Sequence, residues 1–576
     1  MTKTARICFC ALLLFSTFLP HAASAQTAAD IRAAERQAEI IQRQEQDRIQ
    51  RDREEARRQS DSVNGMDTRS LLPKIEVPRI GVPCHEITTI TIRDAPHLPV
   101  RLRKKIADEF AGRCLNTGNI ESILTEITKY YIDQGFIAVR AYLPAQDLSN
   151  GVLEILVVEG KVEKISIEDG DSNSISVGNV FPGVVGAVLN LRDLEQGIEQ
   201  INRLASNNAR LDIRPGEKPG ESAVVVRNQP ASRFHLYASV DNQGQESTGK
   251  TQTGITGSAD NLLGFDDFLS ITHRESTPGD RSRKYSGSDS FNFSIPFGYT
   301  TLSLGSSRSE YASTILLPSG LSLVSKGNTN SSNLRLDRVV YRTQATRALL
   351  AATLTTKSSR NYLDDQYLSV SSRKLTVLDI DGNFNTRFAG GVLSFDLGYA
   401  QGLESMGAMK DLDNLPDSTP RAQFSKLKYG FNYSLPFSLF HRDLSFTSQL
   451  SGQKSNDVLY ASEQIQIGGL YTVRGFVNNV LTGDDGYYWR NEMSVRQPVS
   501  IGSETVSSRI YAGYDNGQVK NIAPNIPQGR LSGAVVGISL NWRGASFDLF
   551  NAWPLTAPDS MHKESSQTWF RVAYAL

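Results

Sequence analysis

Between residues 232 and 576 the chain alternates apolar and polar side chains in one short segment after another. Nowhere past the first 25 residues does it hold an uninterrupted apolar run near the roughly 18 residues that a membrane helix needs. Phe234, Leu236, Ala238 and Val240 alternate, as do Phe291, Phe293, Ile295 and Phe297, then Leu393, Phe395, Leu397 and Tyr399. The same period runs through Leu427, Tyr429, Phe431, Tyr433 and Leu435, and through Val536, Ile538, Leu540 and Trp542. A period of two places each set on one face of a strand. A soluble sandwich shares that period. The number of segments, the polar residues on the opposite face (Asn292, Ser294, Lys428, Asn432, Ser434) and the aromatics near segment ends favour a membrane barrel, apolar outside and wet within. At roughly 20 residues for a spanning strand and its connection, the region holds on the order of 16 to 18 strands.

The beginning of the chain agrees with export. Lys3 and Arg6 precede an apolar stretch over 7–20, and the small residues Ala22, Ala23, Ser24 and Ala25 follow, so 1–25 reads as a signal peptide. Cys8 and Cys10 leave with it, and the mature chain keeps Cys84 and Cys114. In an oxidising compartment these two are expected to pair, closing a loop of about thirty residues worth ~3 kcal/mol in chain entropy. Two free thiols are the alternative. With 61 basic and 61 acidic residues the chain carries no net field, which gives no reason to expect a nucleic-acid partner.

Three textures separate the signal from the alternating region. Residues 26–60 are rich in Arg, Glu, Gln, Asp and Ala and predict a helix that is polar nearly all round, with Glu35 and Glu39 three or four residues from Arg32, Arg36 and Arg43. Such a helix suits a solvated spacer, and equally a plug, since the aqueous lumen of a wide barrel encloses charges without stranding them. Residues 61–83, with Gly65, Pro73, Pro78, Gly81 and Pro83, read as an extended linker. From 84 to 160 the pattern is strand, two helices and a hairpin, with Ile120, Ile123, Leu124, Ile127 and Tyr131 striping the second helix and Gly135 ending it before strands over 136–143 and 152–159. Residues 161–230 repeat the plan, with a strand over 162–167 and a helix striped by Leu194, Ile198, Ile201 and Leu204.

Two tracts in the alternating region carry chemistry. One is Gly468 to Phe476, containing Val473, Arg474, Gly475 and Phe476; the other is Gly513-x-Asp515-x-Gly517. In the second, Ile510, Ala512 and Tyr514 share one face and Tyr511, Gly513 and Asp515 the other, so in a barrel Asp515 points into the lumen, where a loop bearing Arg474 can fold in to meet it. Gly475 allows a tight tip, and Phe476 is placed to pack on the wall.

These two motifs resemble the signature of the two-partner secretion transporters, the TpsB family. The stretches FIAVRAYLPAQDLSNGVLEILVVEG and LNLRDLEQGIEQINRL look like that family's first and second POTRA domains. The resemblance covers nearly the whole mature chain. It implies a mainly β protein: a 16-stranded transmembrane antiparallel β-barrel (231–576), preceded by two periplasmic α+β POTRA domains (84–160 and 161–230) and an N-terminal helix. It also implies a place in the outer membrane of a Gram-negative bacterium. The partner would be a secreted exoprotein (TpsA-like) bound as an unfolded chain, typically an adhesin, haemolysin or contact-dependent toxin, with a monomer favoured. Members commonly end on an aromatic residue; the terminal Leu576 departs from that.

No catalytic constellation emerges. There is no H-x-x-x-H, G-x-S-x-G or P-loop, and His562-Lys563-Glu564 matches H-x-E without a P-C-x-x-C to complete a zinc site, so it reads as a solvated loop. No enzyme activity, cofactor or metal is expected. A barrel-assembly factor shares the VRGF loop but generally has three or more POTRA modules, and a diffusion porin needs neither the modules nor the helix.

Overall fold

The computed structural model describes residues 41–44, 48–49, 83–168, 174–316, 322–502 and 504–576. The signal peptide and nearly all of the 61–83 linker lie outside the described residues, as does most of the 26–60 helix.

The first module begins with His85–Ile87 paired antiparallel to Arg113–Leu115, a register that sets Glu86 opposite Cys114. Cys84 and Cys114 are joined as a disulfide with Cα atoms 5.3 Å apart. The segment between the helices is therefore a strand, not a bare loop. Beside it, Thr89–Arg93 runs parallel to Val152–Glu159, which pairs antiparallel with Val139–Tyr142. Helix Thr117–Asp133 starts on a capping box, Asn116 and Asn119 exchanging side-chain and backbone bonds, and buries Ile120, Ile123, Ile127 and Tyr131 against the sheet.

Its end explains why the strand expected over 136–143 is shorter. Gly135 takes φ +95°, the amide of Gly135 bonds Ile132 O and that of Phe136 bonds Tyr131 O, so the chain reverses through a Schellman motif. Phe136 turns back onto the Tyr131 ring, 5.9 Å away edge-on, and pairing starts only at Val139. Apolar residues that looked like strand are used to seal the helix end.

The second module repeats the sheet, with Lys161–Glu168 parallel and Arg210–Pro215 antiparallel to the central Glu221–Arg227. Its main helix, Leu191–Asn202, buries Leu191, Leu194 and Ile201. Val162, Phe181, Val224 and Val226 complete a separate core. Ile137 and Ala138 of the first module pack against that core, so the two modules touch where one sheet leads into the next.

Sixteen antiparallel strands then close into a barrel, from Phe234–Asp241 round to Gln567–Ala575, with the two-residue strand Gln366–Tyr367 added at one rim. The outward faces carry the apolar set, and Phe234, Ile255, Ile271, Leu397 and Ile510 are all exposed there. Because the second module feeds directly into Phe234, the turns at 261–267, 298–299 and 343–345 lie on the module side. Helix Leu191–Asn202 rests on the second of these turns and on the strand end beside the third: Gln196 and Gln200 donate to Gly298 O, Tyr299 OH bonds Asp193 Oδ1 at 2.6 Å, and Arg342 holds Glu199 at 2.6 and 2.7 Å.

Candidate functional site in the barrel lumen

Residues 456–484, joining strands Arg442–Ser455 and Asp485–Ile501, turn into the barrel. Ile465–Ile467 pairs antiparallel with Leu481–Gly483, making a small hairpin whose far end is the tract 468–480. Two glycines start the bend, Gly468 at φ +95° and Gly469 at φ +97°, a region closed to most side chains.

At the tip Arg474 meets Asp515 through three bonds: Nε to Oδ2 at 2.6 Å, Nη2 to Oδ1 at 2.9 Å and the backbone N–H to Oδ2 at 3.1 Å. The fork is bidentate and charge-assisted, and both groups are buried, Arg474 4 % and Asp515 0 % exposed. Its remaining terminal nitrogen, Nη1, binds Glu492 Oε2 at 2.8 Å, and Glu492 is held in turn by Arg509. Arg490 Nη1 donates to Tyr471 O. Four charged side chains on the two neighbouring strands Asp485–Ile501 and Glu504–Lys520 thus grip one loop, where the sequence pointed only to Asp515.

The glycines of both motifs are sites of close approach. A Cβ on Gly513 would lie 2.8 Å from Arg474 Nη2, and one on Gly517 3.2 Å from a Val473 methyl. A Cβ on Gly475, which takes φ +107°, would lie 2.7 Å from the backbone carbonyl carbon of Trp553, so the tip crosses strand Ala545–Thr556 without room for a side chain. Gly533, in neither motif, faces the Arg474 carbonyl oxygen at a distance that excludes any Cβ. Val473 and Phe476 are buried with Ile467, Leu481, Val519 and Leu531, an apolar patch within an otherwise polar lumen.

Two further carboxylates secure the loop. Glu564 accepts the successive amides of Val477 (2.9 Å), Asn478 (3.2 Å) and Asn479 (2.6 Å), a backbone nest closed on an anion. The H-x-E tract is therefore no idle loop. Glu463, at the loop's base, takes Lys357 Nζ at 2.7 Å and Lys426 Nζ at 3.0 Å. No spacing rule marks Glu564 or Glu463, because each acts on backbone or strands far away in sequence.

The described parts of the N-terminal helix lie in the same space. Ile41 packs on Tyr311, Gln42 Nε2 bonds Asn361 Oδ1 at 2.7 Å, Arg48 Nη2 bonds Ser288 Oγ at 2.8 Å, and Arg43 donates to Ser462 O beside Glu463. Gln42, Gln44 and Arg48 line one cavity with Gly469, Tyr471 and Phe476. The contact at Gln42 is buried.

A sixteen-stranded barrel with two POTRA-type modules on one side and a loop drawn into its lumen defines an outer-membrane transporter of the POTRA-plus-barrel class. Residues 220–540 match the family described as haemolysin secretion/activation protein ShlB/FhaC/HecB, 85–160 match the ShlB-type POTRA domain and 161–215 a POTRA domain. Relatives include the outer membrane transporter CdiB of Dickeya dadantii (strain 3937), 30 % identical over 98 % of both chains, and the hemolysin transporter protein ShlB of Serratia marcescens, 31 % identical over 76 % of both. The solved structure of CdiB from Escherichia coli superposes with a TM-score of 0.85 at 31 % identity, covering 94 % of this chain and 98 % of that one. The chain belongs to the haemolysin secretion/activation family, the TpsB transporters of two-partner secretion, and resides in the outer membrane with its POTRA modules in the periplasm.

Proposed function

We propose that this transporter exports one large partner protein, captured unfolded by the periplasmic modules and passed through the barrel once the N-terminal helix and the loop 456–484 give way. The observation that carries the reading is Arg474, held inside the barrel by Asp515 and Glu492 on a loop whose withdrawal would free the lumen. The edge strands Val139–Tyr142 of the first module sheet and Arg210–Pro215 of the second offer backbone to an extended chain. Recognition through backbone tolerates many sequences. Folding of the emerging partner outside the cell then biases movement outward without nucleotide hydrolysis.

The energetics favour release over barrel unfolding. Among the described residues a neutral helix contact such as Gln42 to Asn361 is worth about 0.5–1.5 kcal/mol net, and one donated by arginine about 1.5–3, whereas the barrel is a continuous ladder of backbone bonds. Relatives named as hemolysin transporters support a cargo of the haemolysin, adhesin or contact-dependent toxin kind, and the barrel is read as a monomer. The test looks beside this gene for a very long secreted reading frame and follows its product with and without this chain. Partner in the medium when this chain is present, and retained in the periplasm when it is deleted, is the expected result. Equal secretion in both strains overturns the proposal.

A further inference from the structure

The module-side turn at 261–267 differs from a solvated hairpin. Its tip reads Leu262-Leu263-Gly264-Phe265, with Leu262 53 %, Leu263 59 % and Phe265 49 % exposed and no charged side chain among them. The tip is held firmly from below. Asp267 Oδ2 accepts the amide of Leu262 at 3.1 Å, its Oδ1 those of Leu263 at 2.9 Å and Phe265 at 3.3 Å, while Asn261 Oδ1 accepts the amide of Asp266 at 2.8 Å. The charges of Asp266 and Asp267 are fully buried beneath it. Rigid presentation of three apolar side chains removes the ordering cost that a flexible loop would meet on burial.

The same turn grips the second POTRA module. Ser176 N–H donates to Asp266 Oδ2 at 2.9 Å, Asn179 Nδ2 to Phe265 O at 2.9 Å, and Arg203 Nη2 to Asp266 O at 2.7 Å. On its other side the turn continues the lipid-facing wall: Ala259 stands opposite Phe234 and Leu269, and Phe234, Leu236, Leu269, Ile271 and Leu576 surround an apolar hollow there. We infer that Leu262, Leu263 and Phe265 form a wedge inserted into the periplasmic leaflet of the outer membrane, which sets the height and tilt of the second POTRA module against the lipid surface. The occupant is lipid because the wedge is uncharged and continuous with the band that already faces acyl chains. Burying the exposed half of three such side chains anchors the turn in the leaflet.

Site-directed nitroxide labelling tests this on the full mature chain in vesicles of phosphatidylethanolamine and phosphatidylglycerol, with the disulfide formed before labelling and heat-modifiable migration verifying the barrel. Leu263→Cys is compared with Ile255→Cys on the lipid-facing wall and Val100→Cys on the first module. The expected result is an oxygen-to-nickel accessibility ratio at Leu263 close to that at Ile255 and several-fold above that at Val100. A ratio matching Val100 overturns the proposal. If that aqueous ratio is joined by loss of secretion in the variant L262S/L263S/F265S, the tip docks exported chain instead of lipid.

Discussion

Arg474 makes four hydrogen bonds in the lumen, and they are unequally shared. Asp515 takes three of them and Glu492 one. Removing one partner of a buried ion pair strands the other, a loss of about 3–5 kcal/mol. Arg474→Ala and Asp515→Ala are therefore expected to impair export strongly while leaving the barrel in the membrane, and Glu492→Gln less so. Partner protein in the medium, set against heat-modifiable barrel in the same cells, measures this; normal export by both alanine variants would remove the loop's anchorage from the mechanism. Gly533→Ala is expected to act like Arg474→Ala without altering a charge, since the new methyl displaces the Arg474 carbonyl. The sequence indicates that a lumenal guanidinium needs a carboxylate and that Asp515 faces inward. It gives no hint of Gly533 or Glu492, because strand neighbours are set by register rather than by a motif.

At the scale of elements, helix and loop meet at Arg43 and Ser462. Deleting residues 27–60 is expected to raise the open fraction in single-channel recordings, and an unchanged trace rules out the helix as a plug. Glu564→Ala removes the acceptor of three loop amides. Charge-assisted bonds contribute about 1.5–3 kcal/mol each in buried settings and less at this partly exposed rim, so even one lost bond near 1.4 kcal/mol shifts loop opening about tenfold. Combining that substitution with the deletion should open the channel further than either alone. Helices and strands were legible from their periods of 3.6 and 2, but Phe136 was misread as strand because its apolar character serves a helix end.

For the molecule as a whole, the second module is fastened to the barrel through buried polar groups, which makes that junction sensitive to protons. Burial pushes the Asp266 carboxyl up from 3.8 to about 6, against the opposing pull of Ser176 N–H and Arg203 and with Asp267 adding to the rise. An acid whose docked pKa is raised holds its proton better docked than free. The junction is therefore firmest at low pH and loosens as pH climbs from about 4 through 6. Between pH 5 and 7 the change is about 1.4 kcal/mol, a tenfold rise in opening. Hydrogen exchange at the Ser176 amide, corrected for its intrinsic rate, should show that rise in the native chain and lose it in Asp266→Asn. Identical pH dependence in the two would assign the sensitivity to a group other than Asp266.

The sequence by itself pointed to a closed barrel, because many alternating segments with polar opposite faces behind an export signal, and no membrane-length apolar run past it, leave strands as the spanning element, and strands in lipid must close. It determined the two modules through their helix stripes. Tertiary structure alone decided what occupies the lumen and how the parts are joined: Glu564 on a backbone nest, Glu463 between two lysines, and Leu191–Asn202 seated on Gly298, Tyr299 and Arg342. Periodicity follows from bonds between near neighbours in the chain. Those junctions instead bring together groups from distant segments, and such meetings exist only once the barrel has closed around them.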